Sequence, residues 1–325
     1  MSLHVDAGRV PSRAAPSGGR RREQRPAPRR FLSWLDLRAT PYIFVSPYFI
    51  LFAIFGLFPL LFTAWVSLHK WQLAGEKTFI GLENYTKLLV DEKFWNAVGN
   101  TVGIFLIATV PQLLIALLLA NALNKKLRGR LVIRLSVLIP LITSVVAVAV
   151  VFTQLYGRDY GVVNWILGLF GTDNIHWQNE KWSSWIAIAT MVDWRWTGYN
   201  AIIYLAAMQT IPKDLYEAAS IDGASPRRQF WGITVPMLKP TIIFTVIVST
   251  IGGFTLFAEP VMFGSGLMTG GTTGQFQTVA MFIVKEGFRD FEYGYAAAAA
   301  WVLFLLILIT VLINSVLVRG IGRSK

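Results

Sequence analysis

"AVGNTVGIFLIATVPQLLIALLLANALNKKLRGRLVIRLSVLIPLITSVVAVAVVFTQL", residues 97–155, places two apolar runs on either side of a short basic knot. A helix needs about 20 apolar residues to cross bilayer hydrocarbon, and each run supplies them. The five cations between the runs, Lys125, Lys126, Arg128, Arg130 and Arg134, mark a turn held on the cytoplasmic side. Working outward, runs of the same kind lie at about 43–66, 185–209, 240–263 and 294–318, which with 97–122 and 131–155 gives six. The fourth is interrupted by "MVDWRWTGYN". A hydrophobic content of 54% and a mean hydropathy of +0.52 agree with an all-α, polytopic integral membrane protein.

The net charge of +12 follows from topology. With the N-terminus inside, 21 of the 30 Lys and Arg fall in the tails and the even connections, and eight fall outside. Both termini are therefore expected in the cytoplasm, and nucleic-acid binding is not needed to explain the cations. The chain has no Cys, and His4, His69 and His176 are scattered, which removes disulfide, thiolate and clustered-metal chemistry. Residues 1–42, rich in Arg, Pro, Gly and Ser, read as a disordered basic cytoplasmic tail ahead of a membrane domain over 43–320. Outside, residues 67–95 carry an amphipathic pattern suited to the interface, and 264–292 open with "GSGLMTGGTTGQFQT", which reads as mobile.

A polar cytoplasmic insert, 211–239, separates the fourth and fifth spans. Pro212 precedes a short helix with Asp214 and Glu217 as a variant capping box, and Gly223 stands where a left-handed residue ends it. Ser225 then caps a second helix with Pro226 at its first position, and Pro236 is expected to stop it. Ala218 and Ala219 give the first helix a smooth face, ringed by Glu217, Asp222, Arg227 and Arg228.

The spacing Glu217-Ala218-Ala219, Gly223 and Ile233-Thr234-Val235-Pro236 resembles the EAA motif of permease subunits of binding-protein-dependent ABC importers, with Val235 where Leu is usual. "IPKDLYEAASIDGAS" and the later "MTGG" with "VAMFIVKEGFRDFEYGYAAAAAW" look like the sugar-importing branch. The resemblance implies a type I ABC importer permease fold in a prokaryotic cytoplasmic membrane. It also implies a second, homologous permease, two ATPase subunits, an extracytoplasmic solute-binding protein and a sugar substrate. The insert would be the coupling helix seated in the ATPase, with Glu217 and Gly223 in the motif's leading positions. No G-x-x-x-x-G-K-[ST] is present, so no ATP or Mg²⁺ site is expected on this chain.

Polar groups inside spans are expensive unless they face a cavity or a partner. Asp193, Arg195 and Glu259 are the intramembrane charges. Asp193 and Arg195 are two residues apart and do not face each other on a helix, so Glu259 is a candidate partner for Arg195. Tyr199, Asn200 and Tyr204 of the fourth span, with Phe254, Thr255 and Phe257 of the fifth, offer rings, an amide and hydroxyls suited to a sugar, or to plain helix packing. Gly252-Gly253 would let two helices approach or kink the span. The three charges also leave open a different class, an ion-gradient secondary transporter. A membrane enzyme would need a cluster of His, carboxylates or a nucleophile, and none is seen.

Overall fold

A computed structural model describes residues 29–73, 75–125 and 128–321. Contacts divide the chain into two units, residues 1–59 and 60–325. Most of the expected tail, 1–28, lies outside the described residues. From Arg29 the chain is helical, so α1 (Arg29–Phe52) begins ahead of the span read from 43. A π-helical turn, Ala53–Leu57, follows before Pro59. Proline cannot donate to the preceding turn, and the wider turn absorbs that mismatch. α2 (Phe58–Ser67) completes a membrane-length apolar stretch, Thr40–Ser67.

In the second unit a two-residue hairpin, β1 (His69–Lys70) with β2 (Thr78–Phe79), is the one sheet among the described residues. α3 (Glu83–Leu89) folds against it: Asn84 donates to the carbonyls of Ser67 and His69 at 2.8 and 3.1 Å, while Leu82, Leu89 and Val90 stay exposed. α4 (Glu92–Leu123) is started by Asp91, whose carboxylate accepts from the backbone of Lys93 at 2.8 Å.

The expected third span is two helices, α5 (Arg130–Ile142) and α6 (Val145–Leu155), meeting at 89°. Pro140 withholds one donor, and Thr143 turns extended; its backbone N–H and its hydroxyl both donate to Ile139 O, at 3.2 and 2.8 Å, which closes the helix there. α7 (Val162–Gly168) and α8 (Lys181–Met208) follow. α8 has 28 residues, about 42 Å at 1.5 Å per residue, long enough to cross but more polar than the other spans. Next come α9 (Lys213–Ile221), α10 (Pro226–Gln229), a π-helical turn at Phe230–Thr234, α11 (Val235–Met237) and α12 (Lys239–Phe254). The run from Pro226 to Met237 meets α12 at 68°. The expected fifth span breaks at Thr255–Phe257 before α13 (Ala258–Phe263), and α14 (Val279–Val284), a π-helical turn at Lys285–Arg289 and α15 (Tyr293–Ile321) are the last helical elements among the described residues.

α4 and α8 lie side by side and parallel. Near their starts Lys181 Nζ donates to Asn96 Oδ1 at 3.0 Å, and the Trp185 ring fills the space at Gly103, where a Cβ would come within 2.1 Å of it. Toward their ends Ala116, Leu117 and Ala120 pack with Ala201, Tyr204 and Leu205. Such a parallel pair requires a return crossing between them, which α5 and α6 supply. α15 joins the same arrangement, since Tyr295 donates to Asp91 Oδ2 at 2.6 Å and Ala296–Ala299, a full turn of small residues, are all buried, which permits close packing.

The glycine-rich stretch read as mobile is instead a packed plug at the end where α4 and α8 begin. The Gly274 carbonyl accepts from both Asn96 and Asn100 at 2.7 Å, and Trp185 donates to Gln275 O at 3.1 Å. Gln275 donates to Gln178 O at 2.7 Å, and Val279 N donates to the Thr101 hydroxyl at 2.9 Å. Gly270, at φ +67°, lies so close to the following strand of chain that a Cβ would sit 2.1 Å from Gln277 N. Glycine serves here for left-handed turns and tight approach rather than for motion.

Candidate functional site

A cavity of about 440 Å³ opens between α4, α8 and the α12–α13 break. α8 presents Val192, Trp196, Tyr199 and Asn200 to it, at positions four, seven and eight apart from the first, which is one helical face. α4 contributes Thr109 and Gln112 among apolar neighbours. The third wall is Ser249, the Gly252-Gly253 pair and the unwound Thr255–Phe257 leading to Glu259. Irregular backbone at membrane depth is tolerated where it lines a cavity. The break is also tied down: Thr255 hydroxyl donates to Ile251 O at 2.9 Å and Thr278 hydroxyl to Leu256 O at 2.8 Å. Gly253 serves close approach, a Cβ there falling 2.5 Å from the Phe105 ring.

Asn200 and Gln112 are 4% and 3% exposed, and neither amide makes a hydrogen bond among the described residues. Neither has a sealed polar atom either, so both amides open onto the cavity with their bonding capacity unspent. Tyr199, Thr255 and Phe257 share the wall. The other two pathway candidates lie elsewhere. Tyr204 is fully buried with its hydroxyl 2.6 Å from Thr245 Oγ1, and Phe254 packs against Phe105 with ring centroids 5.4 Å apart. α4 closes over α8 beyond Asn200, so a residue one turn further on meets core rather than cavity.

Arg195 Nη1 donates to Glu259 Oε1 across the α8–α13 contact, both side chains largely buried. Glu259 lines the cavity, and Arg195 stands behind it. Asp193, on another face of α8, joins neither group, and its Oδ1 is buried without a hydrogen bond among the described residues.

At the far end of the bundle, α9 follows α8. Gly223 adopts φ +73°, and Ala224 N donates to Ala219 O at 2.8 Å, closing the helix. Ser225 Oγ accepts from Arg228 N at 3.4 Å and Pro226 occupies the first position of α10. Two sequence expectations are corrected here. Asp214 and Glu217 form no capping box, because α9 starts from Pro212 without a side-chain cap. Pro236 does not stop the second helix, since the π-helical turn at Phe230–Thr234 widens the backbone just before it and the helix runs to Met237.

Glu217, Ala218, Asp222 and Gly223 are exposed, Ala219 is half-buried, and Ile221 is 87% exposed. Behind that surface, Tyr216 and Thr234 hydroxyls meet at 2.9 Å, and Gln229 Nε2 donates to Ser220 Oγ at 2.9 Å and Ala224 O at 3.0 Å. Side chains thus fasten α9 to the helix that leads into α12. The sequence reading passed over Gln112, Thr109 and Ser249. Gln112 follows Pro111 inside an apolar run, the same signal that singled out Asn200.

Residues 104–323 match the family described as binding-protein-dependent transport system inner membrane component. The chain belongs to that family. It is a multi-pass membrane protein. It is similar to the arabinooligosaccharides transport system permease protein AraP of Halalkalibacterium halodurans, 33% identical over 288 residues, covering 88% of this chain and 89% of the relative. It is also similar to the lactose transport system permease protein LacF of Rhizobium radiobacter, 38% identical over 271 residues, covering 82% and 89%. A chain of a bacterial ABC transporter involved in the import of the acidic polysaccharide alginate superposes with a TM-score of 0.71 at 23% identity, covering 91% of this chain and 100% of that one, which fixes the fold.

Proposed function

We propose that this chain is a membrane-spanning subunit of an ATP-driven sugar importer. The observation that carries it is the fastened α9, an exposed helix with a glycine-shaped end, bonded to the helix that leads into a cavity wall. Seated in a partner ATPase through Glu217, Ala218, Ala219, Asp222 and Gly223, α9 would pass ATP-driven movement to α12 and so to the cavity, giving alternating access. The chain binds no cofactor of its own, ATP and Mg²⁺ being used by two partner ATPase subunits. A second permease, a different homologous chain, completes the pathway, and an extracytoplasmic binding protein delivers the sugar. AraP and LacF carry sugar names, which supports the substrate class.

Both termini lie in the cytoplasm of a prokaryote, in keeping with the 21-to-eight asymmetry of Lys and Arg. Permease function occupies residues 43–320, with 211–239 as the coupling segment. Family membership favours ATP drive over an ion-gradient relay through Asp193, Arg195 and Glu259.

The test is Glu217→Lys in the reconstituted complex. The variant is expected to insert and assemble while substrate-stimulated ATP hydrolysis drops sharply, and an assembled variant with unchanged stimulation removes the coupling role.

A further inference from the structure

The geometry points to Glu259 as a charge filter that admits neutral polyhydroxylated ligands to the cavity and turns away anionic ones. This deepens the sugar-pathway reading and rests on it. Among the described residues that line the cavity, Glu259 is the one ionisable acid and no Lys, Arg or His joins it. The nearest cation, Arg195, lies outside the lining and is charge-paired, its Nη1 donating to Glu259 Oε1 from behind the wall while its Nε is sealed away without a hydrogen bond among the described residues. The pair is therefore neutral as a unit, with its negative member turned to the cavity.

The opposite oxygen, Glu259 Oε2, makes no hydrogen bond among the described residues and is not sealed from the cavity. A carboxylate oxygen only accepts, so it suits a ligand that brings hydroxyl donors. Asn200 and Gln112 can both donate and accept, and Trp196, Tyr199 and Phe257 supply flat apolar faces. A neutral sugar can satisfy all of these. A phosphate, sulfonate or uronate would surrender its hydration shell, meet no unpaired cation and stand against an ionised carboxylate. Burying an unpaired anion is among the costliest exchanges a protein interior offers.

The test compares lactose with two open-chain relatives that share its galactose ring, the neutral alditol lactitol and the aldonic acid lactobionate, by equilibrium dialysis against the purified transporter in nanodiscs. The binding protein is omitted so that its own selectivity does not enter. The wild type is expected to favour lactitol over lactobionate at least tenfold. Glu259→Gln frees Arg195 to meet a carboxylate, and the lactobionate-to-lactitol ratio is expected to rise at least tenfold. The paired variant Glu259→Gln with Arg195→Gln removes both charges while keeping two hydrogen-bonding amides, and its ratio is expected to return toward the wild type. A wild-type preference within about twofold, or a Glu259→Gln complex that binds lactose with an unchanged ratio, overturns the filter while leaving the sugar pathway standing. No saturable binding of lactose or of trehalose to the wild type removes the pathway reading and the filter together.

Discussion

Replacing Asn200 by alanine separates a transport role from a packing role, because its amide makes no hydrogen bond among the described residues. Removing an unpaired amide that faces a cavity breaks no internal contact, and the atoms lost enlarge an existing space rather than open a new one. The stability cost is therefore expected to be within about 0.5 kcal/mol, the range for substitutions that disturb no packed or bonded group. A ligand hydroxyl left facing nothing costs about 1–3 kcal/mol, or roughly 5- to 150-fold in uptake at limiting sugar. Tyr204→Phe, four residues on, supplies the opposite pattern. It deletes a 2.6 Å bond to Thr245 in the core, for a loss of about 1 kcal/mol in stability, and leaves the cavity wall untouched. The assay is uptake into proteoliposomes beside melting temperature of the same purified complex. If Asn200→Ala melts earlier while uptake holds, and Tyr204→Phe does the reverse, the placement of the pathway is wrong.

Three further outcomes are expected. Tyr216→Phe breaks the hydroxyl contact that fastens α9 to Thr234, worth about 1 kcal/mol, and should raise the ATP hydrolysed per sugar moved with little change in assembly; an unchanged ratio removes this fastening from the coupling route. Gly270→Ala forces a side chain into a left-handed residue and onto the Gln277 backbone, so thermal stability should drop by about 2–4 kcal/mol, whereas a mobile segment would accept the change silently in a melt. Single cysteines at Thr86, Asn174 and Thr273 of this Cys-free chain should label with an impermeant reagent in spheroplasts, and one at Ser225 should not; labelling of Ser225→Cys overturns the orientation.

The spans Thr40–Ser67, Glu92–Leu123 and Tyr293–Asn314 were legible whole because bilayer thickness imposes a length that no other solvent demands, and the left-handed Gly223 was legible because helix ends leave a local mark. The breaks were not. Thr143-Ser144 and Thr255–Phe257 sit inside runs that stay apolar on both sides, so hydropathy carries no sign of a bend that side-chain hydroxyls and distant neighbours stabilise, and only the Gly252-Gly253 pair marked a kink near the second. The glycine stretch misled for a related reason. Composition alone equates glycine with freedom, but Gly270 and Gly274 are held by Gln277, Asn96 and Asn100, the two asparagines from about 175 residues earlier in the chain. Asn200 and Tyr204 look equivalent on a helical wheel, and only the course of α4 decides which meets open space. Gln112 was within reach, since a lone amide in an apolar run obeys the same rule that flagged Asn200.

The unspent amides of Gln112 and Asn200 bear on how tightly cargo can be held. Buried polar groups without a protein partner are served by water when nothing else is present. An arriving sugar therefore swaps one hydroxyl for another at each amide, and the exchange releases little net free energy beyond what the aromatic faces add. The site is thereby shallow by construction, a staging post rather than a trap. Shallow binding is what a carrier requires, because a ligand gripped in the middle of the membrane would leave more slowly than the cycle turns. Residence is short, and selection is left to charge and shape.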